Sequence, residues 1–283
     1  MKEDSIFDIP IFGDQGVRLG SNSRTDSYDS ALGAYGGANL ASNGDVGTNS
    51  ISTTAPYAID LDSNASINGD AIIGPGGDTS QAISIDSNVT ITGTKSTLPA
   101  LKELPQIIAP AGLPYQGAIS LSSNDTLTIS GSGEYSNIIL DSNSVLTINT
   151  NATIYITGTL SLNSNSQLNI SNNSEVTFYI NGALHLDSNT AINNLSQDPT
   201  KLSVYGTDSL TDVSFDSNSN LYGAIYARKA YITSDSNSNI YGSLIGERIR
   251  LDSNATVHYD EALGRETGGP GSGLMEISSW QEK

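Results

Sequence analysis

The sequence predicts an all-β fold, a single-stranded parallel β-helix of about eleven coils of roughly 17–24 residues with two irregular insertions. The first observation behind this is a repeated phrase. Its clearest copies are Leu61-Asp62-Ser63-Asn64, Leu140-Asp141-Ser142-Asn143, Leu186-Asp187-Ser188-Asn189 and Leu251-Asp252-Ser253-Asn254. Looser copies start at Leu19, Leu40, Ile85, Leu121, Leu162, Phe215 and Ser234, giving eleven that each end in Ser-Asn. Starts lie 17 to 36 residues apart, a spacing that marks a repeat architecture. The second observation lies six residues after each start, where ten of the eleven copies carry an aliphatic residue and only Thr25 departs. The third is composition around the phrase. Thr, Ile, Val, Leu and Tyr favour strands, and they alternate in Thr90-Ile91-Thr92 and Thr153-Ile154-Tyr155-Ile156.

Each repeat therefore reads as strand, two-residue corner, strand. Asn suits the corner because it tolerates left-handed backbone and bonds to nearby main chain. One such unit cannot bury its apolar side alone, but a stack spaced at about 4.8 Å can. Handedness does not follow from the pattern. Right-handed is favoured because coil length varies and no strict hexapeptide period appears. The rival is a sandwich or barrel of many short strands, which also shows closely spaced turn signals.

Residues 1–18 read as an entry segment and cap, with apolar Phe7, Ile9, Ile11 and Phe12 around Pro10. The β-helix follows over 19–263. Insertions fall at 94–116, rich in proline and leucine, and at 194–201, around Asn194-Leu195-Ser196-Gln197-Asp198-Pro199. Proline lacks the donor a central strand needs, so 94–116 is expected outside the stack with its leucines on an apolar face. The last coils align Tyr222 with Tyr241, Arg228 with Glu247 and Lys229 with Arg248. Residues 264–283 read as a glycine-rich turn and a capping strand, Leu274 to Trp280.

Charge excludes some functions. Thirty acidic against 12 basic residues give a net charge of −18, which argues against nucleic acid and anionic membranes. No stretch of 18 apolar residues spans a bilayer. There is no cysteine, so no disulfide framework and no thiol chemistry. No signal peptide is visible, and Met1-Lys2-Glu3-Asp4 reads as the start of a trimmed chain. Catalytic signals are weak. Paired carboxylates are too abundant to discriminate, no Lys or Arg lies between Leu104 and Lys201, and His185 and His258 stand far apart in coil count. No phosphate loop, zinc spacing or nucleophile elbow is present.

Two columns follow from the repeat. Asn64, Asn88, Asn124, Asn143, Asn165, Asn189, Asn218, Asn237 and Asn254 are expected to stack as a structural amide ladder, with an interior rung such as Asn165 buried and costlier to lose than Asn22. The second phrase position is Asp in seven copies, and Asp187, Asp216, Asp235 and Asp252 come in succession. Such carboxylates repel one another in solvent or bind Ca²⁺ weakly, since calcium accepts carboxylate and carbonyl oxygens in flexible geometry.

Several phrases resemble the C-terminal β-helical region of bacterial envelope proteins with a PilX-type pilus-assembly N-terminus. They are Phe12-Gly13-Asp14 with Leu19-Gly20-Ser21-Asn22, Thr25-Asp26-Ser27-Tyr28-Asp29-Ser30, Ser42-Asn43-Gly44-Asp45-Val46-Gly47-Thr48-Asn49, Leu221-Tyr222-Gly223-Ala224-Ile225-Tyr226-Ala227, Val257-His258-Tyr259-Asp260-Glu261-Ala262-Leu263 and Ser278-Ser279-Trp280-Gln281-Glu282. The resemblance implies export, surface display and association with a type IV pilus. The pilin-like helix of such proteins has no counterpart here. The expectation is a non-enzymatic extracellular or cell-surface structural and adhesion module, with a pilus or envelope protein or a surface glycan as partner. The alternative is a carbohydrate-binding or carbohydrate-cleaving β-helix protein.

Overall fold

The computed structural model describes residues 5–265. Ten of the eleven phrases close on an Asn in the left-handed region, with φ between 58° and 69°. In most of them the amide after that Asn donates to the carbonyl of the second phrase residue, as Ser144 does to Asp141 and Ala65 to Asp62. This is a turn whose third residue needs positive φ, and Asn meets that need without glycine's entropy cost. The eleventh phrase differs. Leu40 is exposed and Ala41 makes an isolated antiparallel bridge with Ser27, so this copy lies in a loop.

The ten corners mark ten layers, and main-chain bonds between them give their order. The Asn124 amide donates to the Ser142 carbonyl, and the same bond runs on from Asn143 to Ser164, Asn165 to Ser188, Asn189 to Ser217, Asn218 to Ser236 and Asn237 to Ser253. It then returns to the start of the chain: Asn254 donates to Ser21, Asn22 to Ser63 and Asn64 to Ser87. The N-terminal layers thus stack beyond the C-terminal ones. Strand Ile11–Gly13 pairs with Leu244–Gly246 on one side and Val46–Thr48 on the other. Val17–Leu19 lies between Ile249–Leu251 and Ile59–Leu61. Residues 11–19, placed in the expected cap and first coil, are therefore interior to the stack and cap neither end.

The expected single-stranded right-handed β-helix is corrected. The pairing contains a closed parallel barrel of 8 strands, with 17 more bonded outside it. In bonding order the ring is Gly133–Leu140, Ala152–Ile156, Val176–Ile180, Leu202–Gly206, Asn220–Ser234, Asp212–Phe215, Ala183–Leu186 and Leu160–Leu162. It closes because two long strands each serve two partners. Gly133–Leu140 bonds Ala152–Ile156 through its first half and Leu160–Leu162 through its second. Asn220–Ser234 likewise bonds Leu202–Gly206 and Asp212–Phe215. The repeated phrase reports one corner per unit and carries no record of strands that continue through another. The type IV pilus association was tied to the β-helical resemblance, and the barrel topology corrects it too.

The core follows from alternation. In Ala152–Ile156 and Val176–Ile180 every second side chain is buried, and Ile154, Ile156, Phe178 and Ile180 have no exposed surface. Each such side chain contributes about 1.5–3 kcal/mol by leaving water. The exception in the phrase, Thr25, is also buried, its hydroxyl donating to the Gly44 carbonyl at 2.5 Å. The frame also slips once. Ala227 pairs with Gly246, but Tyr231 pairs with Arg248, so residues 228–230 oppose Glu247 alone. Arg228 therefore leaves Glu247 and makes a two-pronged pair with Asp208, at 2.7 and 2.6 Å.

A strap without regular structure, residues 98–114, links the layer at one end (Asn88) to the layer at the other (Asn124). Nine steps of about 4.8 Å make roughly 43 Å, within reach of seventeen extended residues at about 3.3 Å each. The strap runs outside one face, but the ends of the predicted 94–116 insertion belong to the stack, Lys95–Thr97 pairing with Ala71–Ile73 and Tyr115 with Glu134. The Lys102 main chain exchanges two bonds with the Asn49 side-chain amide, its carbonyl accepting from Nδ2 and its N–H donating to Oδ1, both at 2.8 Å, and its ammonium pairs with Asp8. Leu104 and Pro105 offer carbonyls to Arg228 and Tyr226, and Ile107 is buried beside Tyr205 and Tyr226. At 194–201, Asp198 caps the short helix Pro199–Lys201 by accepting from the Thr200 amide. The predicted strand from Leu274 to Trp280 lies outside the described residues.

Candidate functional site

The two predicted columns are both present as neighbours in space. Asp216, Asp235 and Asp252 donate their amides to Leu186, Phe215 and Ser234, so the four acidic residues occupy successive layers. Asp187 and Asp216 are in side-chain hydrogen-bonding contact, but the four side chains do not gather at one point. Asp252 is held by Arg250 at 2.9 Å. Asp187 accepts from the Ser188 amide at 2.7 Å and the Ser164 hydroxyl at 2.8 Å, and these bonds hold its carboxyl below the usual range. Asp216 is pushed up, first by burial and then by the charges of Asp187 and Asp235. Among the described residues no group of three or more His, Cys, Asp or Glu is placed to hold a metal ion.

The Asn residues of the ladder are all exposed, including interior Asn165. Side-chain amide links join Asn88 to Asn64 at 3.2 Å and Asn218 to Asn189 at 3.1 Å. The burial expected of an interior rung is therefore absent, and the shared property of these residues is their left-handed backbone. A column missed from the sequence lies one residue on. Ser23, Ala65, Ser144, Ser166, Thr190, Ser219, Ser238 and Ala255 are small and buried under the corner. The signal was readable, because a small residue follows most of the Asn positions.

The histidines take separate places. His185 contacts Ser214 at 2.8 Å on a half-exposed face. His258 is buried against Tyr35, with ring centroids 4.0 Å apart, and its Nδ1 lies 2.6 Å from Asp26. Tyr35 also donates to Asp26 at 2.7 Å. Burial first, then that carboxylate, pushes its phenol upward. Tyr241 stacks between His258 and Tyr222, and the Tyr222–Tyr241 rings are 4.1 Å apart and nearly parallel, as their alignment predicts. The loop carrying Tyr35 thus closes over the imidazole, and the ring serves packing.

A groove of about 420 Å³ lies where the C-terminal strand Asn239–Leu251 meets the N-terminal strand Val17–Leu19. Arg18, Arg248 and Arg250 line it with Tyr57 and Tyr231. Register sets Arg18 directly beside Arg250. Like charges so placed destabilise a sheet, and nearby carboxylates offset the cost. Arg18 reaches Asp62 at 2.8 Å and Asp60 at 4.0 Å, while Arg250 reaches Asp252. Arg248 differs. Its bond among the described residues is to the amide oxygen of Gln15 at 3.2 Å, so no carboxylate neutralises it. Gly16, at φ 141°, keeps the wall low, since a side chain there meets the Tyr57 and Ala58 carbonyls at 3.2–3.3 Å. Sequence reasoning missed this groove, because Arg18 and Arg250 are 232 residues apart and meet only through the reversed stacking order.

Comparison with known proteins gives one match. A family model described as a domain of unknown function (DUF7305) covers residues 115–266, more than half of the chain. No curated protein and no solved structure matches. Among the described residues no helix is long and apolar enough to cross a membrane.

Proposed function

The chain belongs to the DUF7305 family, and on that premise we propose that it is a non-enzymatic structural and adhesion module of the extracellular or cell-surface space, whose arginine groove holds an anionic group of a surface glycan. The observation that carries this reading is Arg248. Among the described residues it is a cation without a carboxylate partner, beside Arg18 and Arg250, in a chain of net charge −18. Guanidinium forks match carboxylates two-pronged, and the rings of Tyr57 and Tyr231 offer flat faces to a sugar. The layered hydrogen bonding supplies a rigid support for such a site.

The test is calorimetric titration with trigalacturonate, with neutral galactotriose as control. Binding of the acidic sugar alone is expected, weakened roughly tenfold or more in Arg248→Gln, because a charge-assisted hydrogen bond contributes about 1.5–3 kcal/mol. Equal binding of both sugars, or no effect of the substitution, removes the groove from the reading. Turnover of either sugar in the same cell rejects the non-enzymatic assignment.

A further inference from the structure

The two ends of the stack complement each other, and we propose that a second copy of the chain docks there, so that molecules join head to tail into a filament. The inference is independent of the groove. Strands Tyr115–Leu121 and Thr126–Ile129 at one end, and Ile83–Ile85 and Thr90–Ile91 at the other, each have one bonded neighbour among the described residues. Every internal junction uses the same two main-chain bonds. The corner Asn donates to the Ser carbonyl of the next layer, and the second phrase residue of that next layer donates back to the first residue of the layer before. Among the described residues, the Asn88 amide at the last layer has no such partner, and the Ser123 carbonyl at the first layer has no such donor. Docking Ile85-Asp86-Ser87-Asn88 of one copy against Leu121-Ser122-Ser123-Asn124 of another reproduces the internal pattern, Asn88 to Ser123 and Ser122 to Ile85. In the single molecule the Ser122 amide is held by its own Asp125 carboxylate at 3.1 Å, a bond that docking exchanges.

The apolar columns agree. Leu146, Leu168, Ile192, Leu221, Ile240 and Val257 occupy one position in successive layers, followed by the buried exception Thr25 and then Ile67, and none of the aliphatic residues has exposed surface. The same position at the first layer, Leu127, is 39% exposed. At the last layer, Ile85 is 44% exposed where its counterpart Leu61 is 1%. No like charges meet at the new second position, since Asp86 faces Ser122. All strands run parallel, so each docking leaves the same two ends free. Such an unlike, non-closing contact builds an open filament by strand addition.

The test uses the full chain in sedimentation velocity over a concentration series. The mass is expected at least to double with concentration, as elongated particles. Leu127→Lys blocks one end and Ile85→Lys the other. Each variant alone is expected to stay monomeric with an unchanged circular dichroism spectrum, and an equal mixture is expected to stop at a one-to-one pair. Self-association of either variant alone overturns head-to-tail docking. A wild-type chain that remains monomeric throughout also overturns it.

Discussion

The layers from Asn124 to Asn254 and those of Asn22, Asn64 and Asn88 use the same phrase but reach the stack by different routes. The first set follows chain order and coincides with the family match over 115–266. The second set precedes it in sequence and follows it in space, carried there by the strap. The barrel strands all belong to the first set, while the groove is built where the two sets meet. The difference teaches that a repeated unit specifies how layers bond, not which layers become neighbours. Any layer of this kind offers the same donors and acceptors to the next.

Four experiments break or sharpen the comparison. The largest effect is expected from cutting the strap. A specific protease site inserted at Gly112, which has open space around it, severs the two sets without touching a layer. The fragments should stay together in gel filtration, held by the junction of Val17–Leu19 with Ile249–Leu251, and their melting temperature should become concentration-dependent. Fragments that separate on cutting refute the shared stack.

Next comes the junction core. Leu19 has no exposed surface and sits between Leu251 and Leu61. Leu19→Ala should cost about 2–5 kcal/mol in urea unfolding, as buried truncations do. Half-exposed Ile91 at the end of the stack should lose clearly less on the same change. Equal losses would mean that the end is as well packed as the junction.

The corner is smaller. Asn165→Ala should cost about 1 kcal/mol, the expense of placing a side-chain-bearing residue in left-handed backbone, while Asn165→Gly should stay within a few tenths. Asn43→Ala, in the phrase that forms no layer, should lie within about 0.5 kcal/mol of wild type. A large loss in Asn165→Gly would restore the amide ladder as the main contribution.

The smallest effect concerns charge. Asp216 binds its proton more tightly in the folded chain, through burial and the charges of Asp187 and Asp235. Its contribution is therefore present at low pH and lost as pH rises through its raised value. Asp187 behaves oppositely, and its contribution is lost as pH falls through its depressed value. Asp216→Asn should raise stability at pH 7 by a few tenths of a kcal/mol, and Asp187→Asn should lower it. Melting curves from pH 3 to pH 8 read both signs, and a destabilised Asp216→Asn would reverse the assignment.

Much of the local structure was legible. The phrase located ten corners, the aliphatic position six residues on located the buried column, and the Tyr222–Tyr241 alignment located a stacked pair. The slip at residues 228–230 was also present in the sequence, as the fall in spacing from 19 to 17 between the last phrases, but its place was not. The groove was illegible, because no local pattern brings Arg18 beside Arg250.

The sequence by itself determined the turn, the alternation and the strand-forming character of each unit. These depend on residues within a few positions of one another, where backbone sterics and side-chain period decide. Only the tertiary structure decided that Asn254 bonds onward to Ser21, that Gly133–Leu140 and Asn220–Ser234 close a ring, and that three arginines share one groove. The physical reason is that main-chain donors and acceptors are the same in every layer. The choice of neighbour then falls to the reach of the strap and the fit of one apolar surface on another.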